Sequence, residues 1–135
     1  QAMATSFKAE ILDEQHDLAA DTLKIALYTS SASLDASTTA YTTSNEVASG
    51  NGYTTGGETL ANKTVSTSGT TAFFDADDPT WTSASFTARG ALIYNDTNGD
   101  KAIAILNFGG DFTVSSGTFR IVFPAAGANA IITIA

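Results

Sequence analysis

The chain has no cysteine, so disulfide staples and thiolate metal sites are excluded, and stability must come from packing or assembly. Positive charge is scarce too. Six basic residues (Lys8, Lys24, Lys63, Arg89, Lys101 and Arg120) stand singly against 14 acidic ones, for a net charge of −8 over 135 residues. Nucleic-acid phosphates and anionic membrane faces are held by concentrated basic residues, so neither is expected as a partner. No apolar run reaches the length of a membrane span, and the start of the chain lacks the basic-then-apolar layout of a secretory signal. Synthesis and folding in the cytosol are expected. One histidine, one tryptophan and no Gly-x-Ser-x-Gly elbow leave little from which to assemble a hydrolase, and no enzymatic activity and no cofactor are expected.

Hydrophobic residues make up 43% of the chain and charged residues 15%. That is enough to bury one core at a length typical of one domain. The low charge leaves a surface that Ser and Thr must cover, or that other protein must cover. Gln1-Ala2 ahead of Met3 reads as a cloning remnant, so the domain is expected to span residues 3–135.

Ser6 to Leu12 places Phe7 and Ile11, with Leu12 beside them, on one helical face, with Ser6 as the expected N-cap of a short N-terminal helix. Thr22 to Tyr28 alternates Leu23, Ile25 and Leu27 against Lys24, Ala26 and Tyr28, a strand with one buried face. From Thr29 to Gly57 no period is sustained, apart from a turn of helix expected around Ser44 to Val47. A segment that long without pattern suggests a functional loop or one ordered by a partner. Further strands are expected over Glu58 to Thr67, Thr70 to Asp75, a short piece at Trp81, Phe86 to Asn95, Lys101 to Phe108, Thr118 to Pro124 and Ala130 to Ile134. Asn95-Asp96-Thr97-Asn98-Gly99-Asp100 between two of these runs is a hairpin tip, because Asn-Gly supplies the positive φ of a twisted turn. Many short strands separated by turn residues predict an all-β fold, an antiparallel β-sandwich or jelly roll with one short N-terminal helix.

Few residues invite chemistry. Asp75, Asp77 and Asp78 crowd one loop and are weak candidates for Ca²⁺, although their spacing fits no known calcium loop and a structural turn is the plainer reading. His16, beside Glu14 and Asp17 in a polar connector, reads as a lone surface histidine. Trp81, Tyr28, Tyr41, Tyr53 and Tyr94 could line a sugar-binding face, although packing is favoured for Trp81 and Tyr94. Arg89, inside the apolar run Phe86 to Ile93, could pin the acidic loop at Asp75 to Asp78. If buried, such a pair would cost about 3–5 kcal/mol on losing one partner.

Taken in order, Ser6-Phe7-Lys8, Asp21 to Tyr28, Asn45-Glu46-Val47, Gly52-Tyr53-Thr54, Gly56-Gly57, Asp75 to Trp81, Phe86 to Ala91, Leu106 to Gly109 and Gly117-Thr118-Phe119 span nearly the whole chain. This string of motifs resembles a family of small virion structural proteins of tailed bacteriophages. The resemblance implies a capsid decoration or cement protein that stabilises the head shell, with the major capsid protein or other virion proteins as partners. A tail, neck or fibre-anchoring role is the alternative within the virion, and a carbohydrate-binding adhesion module the alternative outside that class. Self-association is expected, a trimer suiting the local three-fold sites of a shell. Contact residues are sought at Phe7, Lys8, Tyr41, Tyr53, Trp81 and Arg89.

Overall fold

The computed structural model describes residues 1–135. Its elements in chain order are β1 (Ala2–Met3), α1 (Thr5–Leu12), β2 (Leu23–Tyr28), β3 (Glu58–Thr59), β4 (Thr64–Ser68), β5 (Thr71–Asp75), β6 (Thr80–Asn95), β7 (Lys101–Arg120) and β8 (Ile132–Ile134). They form two antiparallel sheets, β1-β7-β6-β2-β3 and β4-β5-β8, the all-β sandwich class with one short helix that the strand pattern predicts. The order is not that of a jelly roll, in which successive strands alternate between sheets. A tight turn joins β6 to β7, and the two pair with each other from Thr80↔Arg120 to Asn95↔Lys101.

That turn is the expected hairpin, with Gly99 at φ 63° and Asp100 at φ 55°. Both arms run further than the apolar pattern suggests. The strands at Trp81 and Phe86 merge into β6, and those at Lys101 and Thr118 merge into β7, because backbone pairing continues through the Ser, Thr and Gly stretches between them. Irregularities absorb the mismatch. Three residues of β6, Ala88 to Gly90, span six of β7, Asn107 to Phe112, so Phe108 to Asp111 bulge out with Gly109 at φ 77°. The strand expected over Glu58 to Thr67 is instead broken by Asn62 at φ 51° into β3 and β4, which lie in different sheets. The C-terminal run pairs within the domain, Ile132 opposite Phe74.

The segment from Thr29 to Gly57 is ordered by the chain itself. Tyr41 N–H donates to Asp100 O, Ala102 N–H to Thr39 O and Val47 N–H to Leu27 O, so the segment straps across the base of the hairpin and the end of β2. Five of the six β2 residues are consequently buried, where alternation predicts one buried face. Ser44 to Val47 is a turn rather than a helical turn, since Asn45 sits at φ 62°. Helix α1 starts at Thr5 with Ala4 in the cap position and no side-chain cap, correcting the Ser6 assignment. Phe7 is buried and Ile11 packs on the core, as the helical face predicts, whereas Leu12 at the end of the helix turns to solvent, 86% exposed. Ala2 and Met3 pair with Ile105 and Ala104, and Gln1 Oε1 accepts from Asn107 N–H, so the Gln1-Ala2 pair set aside from the domain lies against the edge of the sheet.

Candidate docking groove

A groove of about 730 Å³ runs between the outer half of β7 and the β8 side of the second sheet, and 14 of its 21 lining residues are hydrophobic. Its origin lies in the strand pattern. Beyond the bulge, β7 and the chain after it carry apolar side chains at Phe112, Val114, Phe119, Ile121 and Val122, none of which is fully buried. Phe112 is 53% exposed and Val122 71%. An aromatic series leads outward from the core, with ring centroids at 5.9 Å for Trp81 and Phe119, then 6.1 Å for Phe119 and Phe108 and 6.1 Å for Phe108 and Phe112.

Main-chain groups border the same groove. β1 covers the outer edge of β7 at Ala104 and Ile105, and no strand continues along that edge toward Arg120. β8 pairs with β5 on one side and with no strand on the other. An apolar trough flanked by free strand edges can take an extended segment, which would add backbone hydrogen bonds to the burial of its side chains.

None of the six residues sought as contacts lines this groove. Phe7 is 1% exposed and lies 5.0 Å from the His16 ring, and Tyr53 and Trp81 are buried, so these three serve the core. Lys8 is exposed on α1. Tyr41 is half-buried, with its ring stacked 4.5 Å from Tyr94. Arg89 reaches Asp111 at 3.5 Å on the surface and does not pin the acidic loop. Arg120 takes that place, donating to Asp78 Oδ2 at 2.6 Å.

With Tyr28 and Tyr94 also buried, the aromatics form no sugar-binding face. Their hydroxyls are fasteners. Glu46 accepts from Tyr53 at 2.6 Å, Tyr41 at 2.7 Å and Gly56 N–H at 2.7 Å, and Tyr53 Oη in turn accepts from Leu27 N–H. Burial first, and then the Glu46 carboxylate, pushes the Tyr53 and Tyr41 hydroxyls far above the usual tyrosine value, so both stay protonated donors. This knot ties the long strap to β2.

The acidic loop also fastens the fold. Asp78 accepts from Phe123 N–H at 2.8 Å as well as from Arg120, and the backbone bond followed by the guanidinium holds its carboxyl below the usual value. Asp77 accepts from Asn62 at 2.6 Å. No three acidic or histidine side chains converge at Asp75, Asp77 and Asp78; Asp77 and Asp78 are instead engaged by Asn62, Arg120 and Phe123 N–H. His16, expected at the surface, is buried against Phe7 and Asn95.

No family model, curated protein or solved structure matches the chain. The geometry and the sequence motifs therefore carry the functional reading.

Proposed function

We propose that this chain is a non-enzymatic structural component of a tailed-phage virion, made in the host cytoplasm, that decorates or cements the head shell. The apolar groove bordered by free strand edges carries the reading. Left open in a monomer, such a surface marks a protein contact. In a particle it would receive an extended segment of the major capsid protein or of another virion protein. Each such contact can be weak, because repetition over a shell multiplies it. The resemblance of its run of sequence motifs to small phage virion proteins supports the same reading.

The test is co-sedimentation of the purified chain with emptied phage heads. Val122 and Phe112 are largely exposed, so Val122→Asp and Phe112→Asp leave the core intact and place a charge in the groove. The wild type is expected to pellet with heads, and both variants to lose at least about tenfold in affinity with melting temperatures close to wild type. Variants that bind as well as the wild type would sink the groove as the contact. Binding to tails alone would move the chain to the tail or neck.

A further inference from the structure

His16 and Asn95 are the only polar residues in the buried core, and they meet each other. Asn95 Oδ1 accepts from the backbone N–H groups of Thr97 and Asn98, both at 3.1 Å, and Asn95 Nδ2 donates to Asp21 Oδ2 at 2.7 Å. These partners leave no freedom to exchange the two ends of the amide, because a backbone N–H can only donate and an aspartate carboxylate accepts. The amide nitrogen therefore faces His16 Nδ1, 3.0 Å away. His16 Nδ1 must be the acceptor, and the proton of the neutral ring must sit on Nε2. Nε2 is 3.7 Å from Glu10 Oε1, and both atoms are buried with no hydrogen-bond partner.

We propose that His16 and Asn95 form an acid-sensitive clamp, which holds the N-terminal segment on the β6–β7 hairpin while His16 is neutral and releases it when His16 gains a proton. The added proton has one place to go. On Nδ1 it would confront the Asn95 N–H with a second donor, and the hairpin tip fixes Asn95 so firmly that the histidine is the partner that must leave. Other charged groups act on the ring from each side. Glu10 on α1 and Asp21 in the following connector favour the cation, Lys101 at the start of β7 opposes it, and burial opposes it most. The balance lowers the His16 pKa from its ordinary 6.5. An unfolded chain thus binds this proton more readily than the folded one, so stability falls as pH drops through about 6.5 and keeps falling until the folded histidine itself titrates.

The consequence reaches the groove. The clamp follows α1, α1 follows β1 directly, and Gln1, Ala2 and Met3 form part of the groove wall. Release at mildly acidic pH would strip that wall away. This last step rests on the proposed function, whereas the clamp does not.

The chain holds a single histidine, so its imidazole signals can be followed by NMR without assignment, alongside thermal melts at pH 7.5 and 5.5. The expected result is an Nε2–H tautomer at neutral pH, a pKa below 6.5, and a melting temperature lower by roughly 2–4 °C at pH 5.5. In His16→Gln the larger part of that pH dependence is expected to vanish. An Nδ1–H tautomer, a pKa at or above 6.5, or an undiminished pH dependence in His16→Gln would overturn the clamp. The wild-type spectra decide even if the variant fails to fold. Head binding at both pH values then separates the two ideas: a histidine that titrates as expected with pH-independent head binding overturns the effect on the groove alone. Absence of head binding at either pH counts against the docking reading and leaves the clamp standing.

Discussion

At the base of the β6–β7 hairpin, Ala91 to Asn95 and Ala102 to Ile105 are all buried, whereas beyond the bulge at Phe108 to Asp111 no residue of β7 is. The two halves share one ladder and one antiparallel geometry, so pairing does not separate them. Cover does. At the base, the strap from Thr29 to Gly57 lies over the face that carries Tyr28 and Tyr94, and α1 adds Phe7 to the same core. The strap is anchored at Asp100, Ala102 and Leu27, and it meets the outer half on β6, where Ser85 N–H donates to Asn51 O and Tyr53 packs near Trp81 and Phe86, whereas it makes no backbone hydrogen bond to the outer half of β7. A strand buried on both faces reads as a continuous apolar run, while one buried on a single face alternates. Ala-Leu-Ile-Tyr at 91–94 and Ala-Ile-Ala-Ile at 102–105 are of the first kind, whereas in the outer half of β7 Phe112, Val114 and Phe119 stand apart among Ser, Thr and Gly and none is fully buried. The base supplies stability, with Trp81, Ala84 and Ala88 of outer β6 adding to the core, and the outer half of β7 supplies surface.

The sharpest test of that division is to truncate one side chain in each half. Ile103 is fully buried, so Ile103→Ala is expected to cost about 2–5 kcal/mol through lost burial and a cavity. Phe112 is 53% exposed, and Phe112→Ala is expected to cost less than about 1 kcal/mol. Urea midpoints measure both. Equal losses would mean that the outer half is as much a part of the core as the base.

A smaller difference is expected from glycine. Gly57, where the strap ends, has φ 80°, and a Cβ there would lie 1.9 Å from Ile25 O. Backbone on both sides cannot yield without parting β3 from β2, so Gly57→Ala is expected to cost upwards of about 2 kcal/mol. Gly109, at φ 77° in the bulge, has open space around it. Gly109→Ala is expected to carry only the cost of a positive φ, about 1 kcal/mol. If Gly109→Ala matched Gly57→Ala in a urea melt, the bulge would be a rigid joint and not a boundary.

Legibility in the sequence divides along the same line. Alternation in β2, the Asn95–Asp100 turn and the apolar C-terminal run give the antiparallel sandwich directly, because each is a local pattern. The groove is not local. The spacing of Phe108, Phe112 and Phe119 shows that a face is apolar and cannot show whether another element lies over it. His16 stands among polar neighbours, and only its contact with Asn95, 79 residues away, reveals a buried role. Glu46 is hidden in the same manner, since its partners Tyr41 and Tyr53 look like ordinary loop aromatics until the strap closes. The acidic loop was legible as a turn, but its cation is Arg120, which the long β7 carries back beside it, and not the nearer Arg89.

Arg89 supplies the smallest expected effect, and one that bears on the joint between the halves. It lies on β6 opposite the bulge, and its only ion pair is the 3.5 Å contact with Asp111, with side chains 44% and 50% exposed. Water screens a pair so placed, and holding two long side chains in one geometry offsets most of the attraction, leaving about 0–1 kcal/mol. Arg89→Met is therefore expected to shift the urea midpoint by no more than this and to leave head binding unchanged, since Arg89 lies outside the groove lining. A loss of 3 kcal/mol or so, the scale of a broken buried pair, would mean that the charge is desolvated and that the bulge is locked shut. In that case the outer half would be held rigidly to the base, and the difference in burial between them would not be a difference in mobility.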